Sequence, residues 1–496
     1  MQAADAKDIE DPALRRAAGV LHRPVCELLG CRLPLVLAGM GGVARAALVT
    51  AVTRAGGFGL LGMVREPPAL IREQVQAVRA ATDRPFGVSI IPAATEAGLL
   101  RSQVDLLLAL EVPAICLFWD LSAPIVERCR AAGMRVLCQV GSAAEALAAQ
   151  EAGAQVLIAQ GVEAGGHVRG RQPLAELLPE VLAAVRVPVL AAGGLADGGD
   201  VAAVLSAGAQ GAMLGTALLA TRESFAHPYH QQRIVDAREG DTLLTEDFHI
   251  NWPRGAGVRV LVNSVTRGEH GSPFSGARIP IGADAGRPIL MFSTDSPLRS
   301  TSGNLEAMAL YAGQGAARID RIAGAAERLR AIALDAADRL GADLVQGPQA
   351  GPSAEAGHRD DALIAALDEL LEAERAGARV ALTLLREGIE DDALAEVMRE
   401  VHRGEVQWCG VLMTAIRRLG GTPCTRTGDF FGKVMALPDL PARLALLNRG
   451  QGWVAKKLKA LLPEIGDEEL RTALGAMLTA HQDNIEHVNA HLAPVA

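Results

Sequence analysis

Residues 152–170 read AGAQVLIAQGVEAGGHVRG. Ala152-Gly153-Ala154 closes an Ala-rich helical stretch, with Gly153 placed as a helix C-cap. The run Val156-Leu157-Ile158-Ala159 is apolar without alternation. Such a run belongs to a strand buried on both faces, hence to a parallel sheet under helices. It stops at Gln160-Gly161, and a Gly-rich loop follows that offers one histidine, His167. A buried strand feeding a flexible loop with an ionisable side chain is how parallel α/β enzymes display catalytic groups.

The same unit recurs on either side. Short apolar runs fall at Leu35–Ala38, Phe58–Leu61, Phe86–Ile91, Ala114–Phe118, Arg135–Gln139, Gln155–Ala159, Pro188–Ala192 and Gly211–Leu214, with Ala-rich helical stretches between them. Eight such units favour a TIM (β/α)8 barrel over an open doubly wound sheet. Gly39-Met40-Gly41-Gly42 lacks the G-x-G-x-x-G spacing, and no acidic residue ends the second strand, so a dinucleotide fold is rejected. Residues 225–303 break the pattern with several glycines and Asn251-Trp252-Pro253. A segment that long reads as a lid over the barrel mouth.

Half of the 496 residues are hydrophobic and only 3% are aromatic, so the core is built of Ala, Leu and Val. A net charge of −9 argues against nucleic acid or an anionic membrane as partner. Seven scattered cysteines without a C-x-x-C pair fit a reducing compartment. The N-terminus has no apolar signal region and no run of about 18 apolar residues occurs, so a soluble, cytoplasmic protein is expected.

Barrel active sites lie at the carboxyl ends of the strands, and phosphate commonly binds after strands seven and eight. Strand seven ends in Ala192-Gly193-Gly194 and strand eight in Gly215-Thr216. Glycines admit phosphate close to backbone N–H groups, and a following helix N-terminus favours its charge. Gly39-Met40-Gly41 after strand one suits the flat face of an aromatic ring. Ser89 in strand three, with Gln139 and Gln160 ending strands five and six, could hydrogen-bond a heterocycle edge. A ring system with a phosphate tail on this fold suggests FMN. His167 then sits above the flavin; Glu163 reads as a solvated carboxylate and Cys138 as a small buried hydrophobe.

Residues from about 24 to 335 resemble the nitronate monooxygenase (2-nitropropane dioxygenase-like) family. The resemblance is carried by Ala38-Gly39-Met40-Gly41-Gly42-Val43, Ala55-Gly56-Gly57-Phe58-Gly59, Ala159-Gln160-Gly161 through His167, and Ala191-Ala192-Gly193-Gly194. Gly215-Thr216, Ala220-Thr221, Glu223-Ser224 and Ala312-Gly313-Gln314-Gly315 complete it. It implies FMN, a catalytic His167, and oxidation of alkyl nitronates, or nitroalkanes, to a carbonyl compound and nitrite with O2 as final acceptor. The implied cofactor-binding residues are Gly39, Met40, Gly41, Ser89, Gln139, Gly165, Ala192, Gly193, Gly194, Gly215 and Thr216. Two positions depart from the family pattern, Ser89 for Asn and Gly39 for Pro.

Residues 341–358, GADLVQGPQAGPSAEAGH, have the composition of a linker, and the whole connection is assigned to 336–358. The barrel, with its lid at 225–303, is thus assigned to 20–335 and a helical domain to 359–496. Four helical segments follow, at about 360–387, 392–419, 440–462 and 467–492, the pattern of a four-helix bundle. Each apolar stripe is interrupted near its middle, by Glu374, Glu405, Gln451 and His481, which spacing places at one depth. The bundle resembles the ferritin-like superfamily, but Trp408 and Asn484 stand where a Glu-x-x-His pair would put its partner residues. The preferred reading is a hydrogen-bonded polar layer that fixes helix register; Glu374, Glu405 and His481 are candidate metal ligands, with iron as the alternative. His402 and His487 are expected at the surface or as caps.

The chain therefore reads as an FMN-dependent oxidoreductase taking a small-molecule substrate and O2, with homo-oligomerisation left open. The alternatives are an NAD(P)H-dependent flavin reductase of an enoyl thioester or quinone, and a non-catalytic flavin- or metal-binding sensor.

Overall fold

The computed structural model describes residues 11–345 and 354–492, apart from 254, 277, 422, 425 and 428. These residues divide into two compact units. One runs to Leu178 and resumes over Val187–Val345; the other takes Pro179–Arg186 and the C-terminal helices.

In the first unit, strands β1 (Leu35–Leu37), β2 (Leu60–Gly62), β3 (Gly87–Ile90), β4 (Ala114–Leu117), β5 (Arg135–Val140) and β6 (Val156–Gln160) come first. A two-residue strand β7 (Gly166–His167) precedes β8 (Val189–Ala192) and β9 (Gly211–Leu214). Without β7, they form one eight-stranded parallel sheet in the order β1-β9-β8-β6-β5-β4-β3-β2. The ends meet: Leu37 N–H donates to the Phe58 carbonyl and Phe58 N–H to that of Leu35, both at 2.9 Å. The sheet is thus a closed barrel, as the eight apolar runs imply.

Helices α1 (Pro12–Leu21) and α2 (Pro24–Leu29) precede β1. Helices α3 (Ala46–Arg54), α4 (Pro68–Ala81), α5 (Ala97–Ala109), α6 (Ala123–Ala131), α7 (Ala143–Glu151), α8 (Leu174–Ala184) and α9 (Gly198–Ser206) follow successive barrel strands. A short α10 (Thr216–Leu219), α11 (Pro228–Val235) and α12 (Ala325–Val345) complete the unit. Gly153 and Gly208, just past α7 and α9, have φ of +105° and +111° and donate to Gln150 and Leu205 carbonyls. Each reverses the chain from helix into strand, a conformation that costs a residue with a Cβ about 1–2 kcal/mol. The barrel interior is filled by Val36, Phe58, Leu60, Leu137, Val156 and Ile158, with Met213 among them.

The stretch 225–303 is not a structureless excursion. Beyond α11 it carries β10 (Thr242–Thr245), β11 (Val258–Leu261), β12 (Pro280–Asp284), β13 (Arg287–Leu290) and β14 (Thr301–Gly303). They form two antiparallel sheets, β10-β11-β7 and β13-β12-β14. A long segment in a compact domain must satisfy its backbone groups, and short sheets do so here. The linker expectation is corrected in part: α12 continues through 336–345 and the next helix begins at Ala354, while 346–353 lie outside the described residues.

In the second unit, α13 (Ala354–Glu387), α14 (Asp392–Arg418), a short α15 (Phe430–Met435), α16 (Leu440–Leu461) and α17 (Glu468–Leu492) build the helical bundle. Helix α13 packs on α14 and α16, and α17 on both of those. One apolar cluster contains Leu367, Leu371, Leu412, Leu458 and Leu474; another contains Val380, Met398, Leu444, Leu447 and Val488. The stripe positions Glu374, Glu405, Gln451 and His481 are all buried. No helix among the described residues is long and apolar enough to cross a membrane.

Candidate active site

A cavity of about 870 Å³ opens at the carboxyl ends of the barrel strands. All of Gly39, Met40, Gly41, Ser89, Gln139, Gly165, His167, Ala192, Gly193, Gly194, Gly215 and Thr216 line it. They come from loops far apart in sequence, brought together because every strand of a parallel barrel ends at the same rim.

The floor is made of small groups held against each other. A Cβ on Gly39 would lie 2.2 Å from Cβ of Ser89, and one on Gly41 would lie 2.4 Å from Cγ1 of Val64. On the other side Gly193 and Gly194 have φ of +110° and +72°. Gly313 N–H donates to Thr216 Oγ1 at 3.0 Å, and a Cβ on Gly315 would come 2.5 Å from the Gly194 carbonyl oxygen. The late Gly313-Gln314-Gly315 segment therefore backs the two loops after β8 and β9.

One expectation about those loops is corrected. The N-terminus of α9 is not open to an anion, because Asp197 and Asp200 form a capping box there and Asp200 accepts from Ala196 N–H at 2.7 Å. Helix α10 has Gly215 as its cap, which brings no side chain. An anionic group between these loops would meet glycine backbone and Thr216 rather than the dipole of α9.

His167 is not on a free loop. It lies in β7, opposite Val258 of β11. Gln160 fixes the same segment from the barrel side: its Nε2 donates to the His167 carbonyl at 3.0 Å, and its Oε1 accepts from Arg169 N–H at 3.2 Å. The Gln160 amide thus holds the histidine segment, while its side chain also lines the cavity. Glu163 is likewise not simply solvated, for its carboxylate accepts from Leu174 N–H at the start of α8, at 3.0–3.1 Å.

The imidazole of His167 stacks on Trp252, with ring centroids 3.4 Å apart and planes 16° from parallel. Trp119 meets it edge-on at 6.1 Å and Tyr311 lies at 5.8 Å. An edge of His167 reaches the cavity, but its Nε2 is buried and has no hydrogen-bond partner among the described residues. Burial pulls the pKa down to about 3, and the cationic Arg65 adds to the effect. The ring is therefore neutral at any ordinary pH. Arg65 approaches Asp295 at 3.9 Å, and Arg287 donates to the same carboxylate through both Nη atoms at 3.1 Å. Arg65 and Trp119 hold positive φ of 57° and 77°, and Asn251, next to Trp252, 75°. Such outliers gather where a site fixes the backbone.

Trp119, Trp252, Tyr311, Arg65 and Asp295 escape the sequence reading. Trp252 had one signal, a tryptophan inside a Gly-rich excursion of a chain with four in all. The others come from strand ends or loops with no local pattern.

In the bundle, Glu374, Glu405, Gln451 and His481 do meet. Gln451 Nε2 donates to Glu405 Oε1, and the Gln451 Oε1 bonds to His481 Nδ1. His402 is a correction: it is buried, with Nδ1 donating to the Ala378 carbonyl at 3.1 Å, whereas His487 is exposed. The stripe of α14 carries it inward one turn before Glu405.

Comparison with known proteins bears on both units. The family profile described as nitronate monooxygenase matches residues 23–100 and 91–335. A domain of unknown function, DUF6306, matches 361–490. A probable nitronate monooxygenase of Bacillus subtilis is 31% identical over 324 residues, covering 57% of this chain and 90% of the relative. A Mycobacterium tuberculosis protein named as a (3aS,4S,5R,7aS)-5-hydroxy-7a-methyl-1-oxo-octahydro-1H-indene-4-carboxyl-CoA dehydrogenase is 31% identical over 350 residues, covering 64% and 97%. Among solved structures, the nitroalkane oxidase of Streptomyces ansochromogenes superposes with a TM-score of 0.52 at 31% identity, covering 63% of this chain and 98% of that one.

Proposed function

For a chain that belongs to the nitronate monooxygenase family of flavin-dependent oxidoreductases, we propose that the barrel oxidises alkyl nitronates to a carbonyl compound and nitrite, with FMN as cofactor and O2 as final acceptor. The cavity suits that cofactor. Its volume of about 870 Å³ lies within the range of cofactor pockets. Its floor admits no side chain at Gly39 or Gly41. Gly39, Met40, Gly41, Ser89 and Gln139 would face the ring; Gly165, Ala192, Gly193, Gly194, Gly215 and Thr216 would hold the ribityl phosphate. The flavin, when bound, supplies the two-way electron carrier between substrate and O2.

The observation that carries the reading is His167: a neutral imidazole with a buried, unpartnered Nε2, set in the field of Arg65. A ring N–H at the edge of His167 that reaches the cavity would donate to an anion, and Arg65 attracts one. Trp119 and Trp252 exclude water and leave an apolar side for an alkyl chain. Burial keeps the His167 imidazole a weak base, which favours the preformed nitronate over the neutral nitroalkane as substrate. An aerobic assay with matched nitronate and freshly dissolved nitroalkane tests it. Nitrite forms from the nitronate alone; equal rates from both would overturn the role given to His167.

A second reading has its own support. The dehydrogenase relative is named for a CoA thioester, and Arg45, Arg65 and Arg287 line the cavity as cations for a phosphate-bearing substrate. Under it, a nicotinamide would reduce the flavin. A cytoplasmic setting belongs to the same proposal, supported by the seven unpaired thiols.

A further inference from the structure

We infer that Glu374, Glu405 and His481 bind one divalent transition-metal ion inside the helical bundle, through a carboxylate oxygen of each glutamate and Nε2 of the histidine. The donor atoms of all three lie within 4.8 Å of one another, from α13, α14 and α17, and all three side chains are buried.

The hydrogen bonds leave these atoms facing a common point. Gln451 Oε1 is an acceptor only, so the His481 Nδ1 beside it carries the imidazole proton. Nε2 is then a lone pair, and it looks at Glu374 Oε1 from 3.2 Å. Among the described residues no amide, guanidinium or hydroxyl group donates to a Glu374 oxygen or to His481 Nε2; these atoms meet only the Glu405 carboxyl and one another. Two acceptors pointed at each other in a dry interior repel unless a proton or a cation lies between them, and one divalent ion would satisfy all three side chains at once. Two ligands at about 2.0–2.1 Å from a tetrahedral ion are about 3.3 Å apart, close to the spacing here.

The surroundings fit the same assignment. A metal-binding histidine donates its other N–H to an outer partner that fixes tautomer and ring orientation. Gln451 does this for His481, and its amide also donates to Glu405. Gly377 makes room: a Cβ there would lie 2.4 Å from Glu405 Oε2. A cavity of about 530 Å³ reaches the cluster from the side of Glu405, where Gly377 and Gln451 also line it. One imidazole with two carboxylates selects Zn2+, Mn2+ or Fe2+ over the oxygen-seeking Ca2+ and Mg2+. Two carboxylates and a neutral imidazole balance one such ion in charge.

The inference stands apart from the barrel chemistry. Full-length protein is stripped with a chelator and dialysed against Zn2+ or Mn2+. Metal per chain is then measured by mass spectrometry, with flavin content and thermal unfolding on the same samples. Wild type should hold one ion per chain and unfold at higher temperature with it. E374Q and H481Q should lose about nine-tenths of the bound ion at the same free metal, with flavin content unchanged. Q451L should weaken binding about 10–100-fold and still saturate at one ion. Wild type without bound metal, two ions per chain, or full occupancy in E374Q and H481Q would each overturn it. Should a glutamine variant fail to fold, the metal-dependent unfolding shift of wild type, smaller in Q451L at the same free metal and restored at about 10–100-fold more, decides the matter.

Discussion

Replacing Gln160 by Leu deletes the two bonds by which the barrel grips the His167 segment. The His167 carbonyl loses its 3.0 Å donor and Arg169 N–H its 3.2 Å acceptor. Each orphaned backbone group costs about 1–3 kcal/mol where water cannot replace the partner. Water reaches part of this segment, so a total of about 2–4 kcal/mol is the reasonable expectation. The pairing of β7 with β11 remains, so the loss falls on the placement of His167 more than on global stability. At about 1.36 kcal/mol per factor of ten, kcat/KM for a nitronate should fall ~30- to 1000-fold. Gln160→Glu keeps the acceptor and loses the donor, and should fall between Leu and wild type. The assay is initial-rate nitrite formation, with flavin content and melting temperature measured alongside. A Leu variant within threefold of wild-type kcat/KM, or one whose whole defect is lost flavin, would refute a positioning role for Gln160.

Three other outcomes follow from the geometry. His230 is buried, its Nε2 lies 3.0 Å from the Tyr311 carbonyl, and burial holds its pKa down to about 4. A histidine depressed in the folded state contributes stability that is present above the unfolded pKa of ~6.5 and lost as pH falls towards 4, about 2 kcal/mol by pH ~5. His230→Gln should flatten that acid limb in a series of melting curves; an unchanged limb would point elsewhere. Because His167 stays neutral, kcat/KM with nitronate should show no limb assignable to its imidazole between about pH 5 and 9, a profile checked in constant-ionic-strength buffers. Gly39→Ala drives a methyl into Ser89 and should cost about 1–3 kcal/mol, read as weaker FMN retention on gel filtration.

The barrel is legible in the sequence because its strands are buried on both faces, so each shows as an unbroken apolar run such as Val156–Ala159. The two small antiparallel sheets of 225–303 are hidden for the opposite reason. In β10, Leu243 and Leu244 are 43% and 37% exposed, and β12 begins at Pro280 and shifts register before Gly282. Neither alternation nor continuity marks such strands. The glycine loops of the site could be read because close approach forbids a side chain there, which leaves a trace in residue type. Trp119, Trp252, Tyr311 and Arg65 act through contacts between distant loops, and nothing in their neighbours announces the meeting. Gln160 carries a duty its position does not announce: it ends a barrel strand and lines the cavity, and its amide also holds backbone seven and nine residues on. In the bundle, helical periodicity was enough to align Glu374, Glu405, Gln451 and His481, since one interruption per stripe leaves little freedom of depth.

Anaerobic rapid mixing of the flavin-loaded protein tests the central claim most directly. The account predicts that an alkyl nitronate bleaches the flavin absorption in wild type, that His167→Ala slows this at least ~100-fold with flavin still bound, and that NADH and NADPH leave the spectrum unchanged. Rapid bleaching by a nicotinamide, with none by the nitronate, would contradict it.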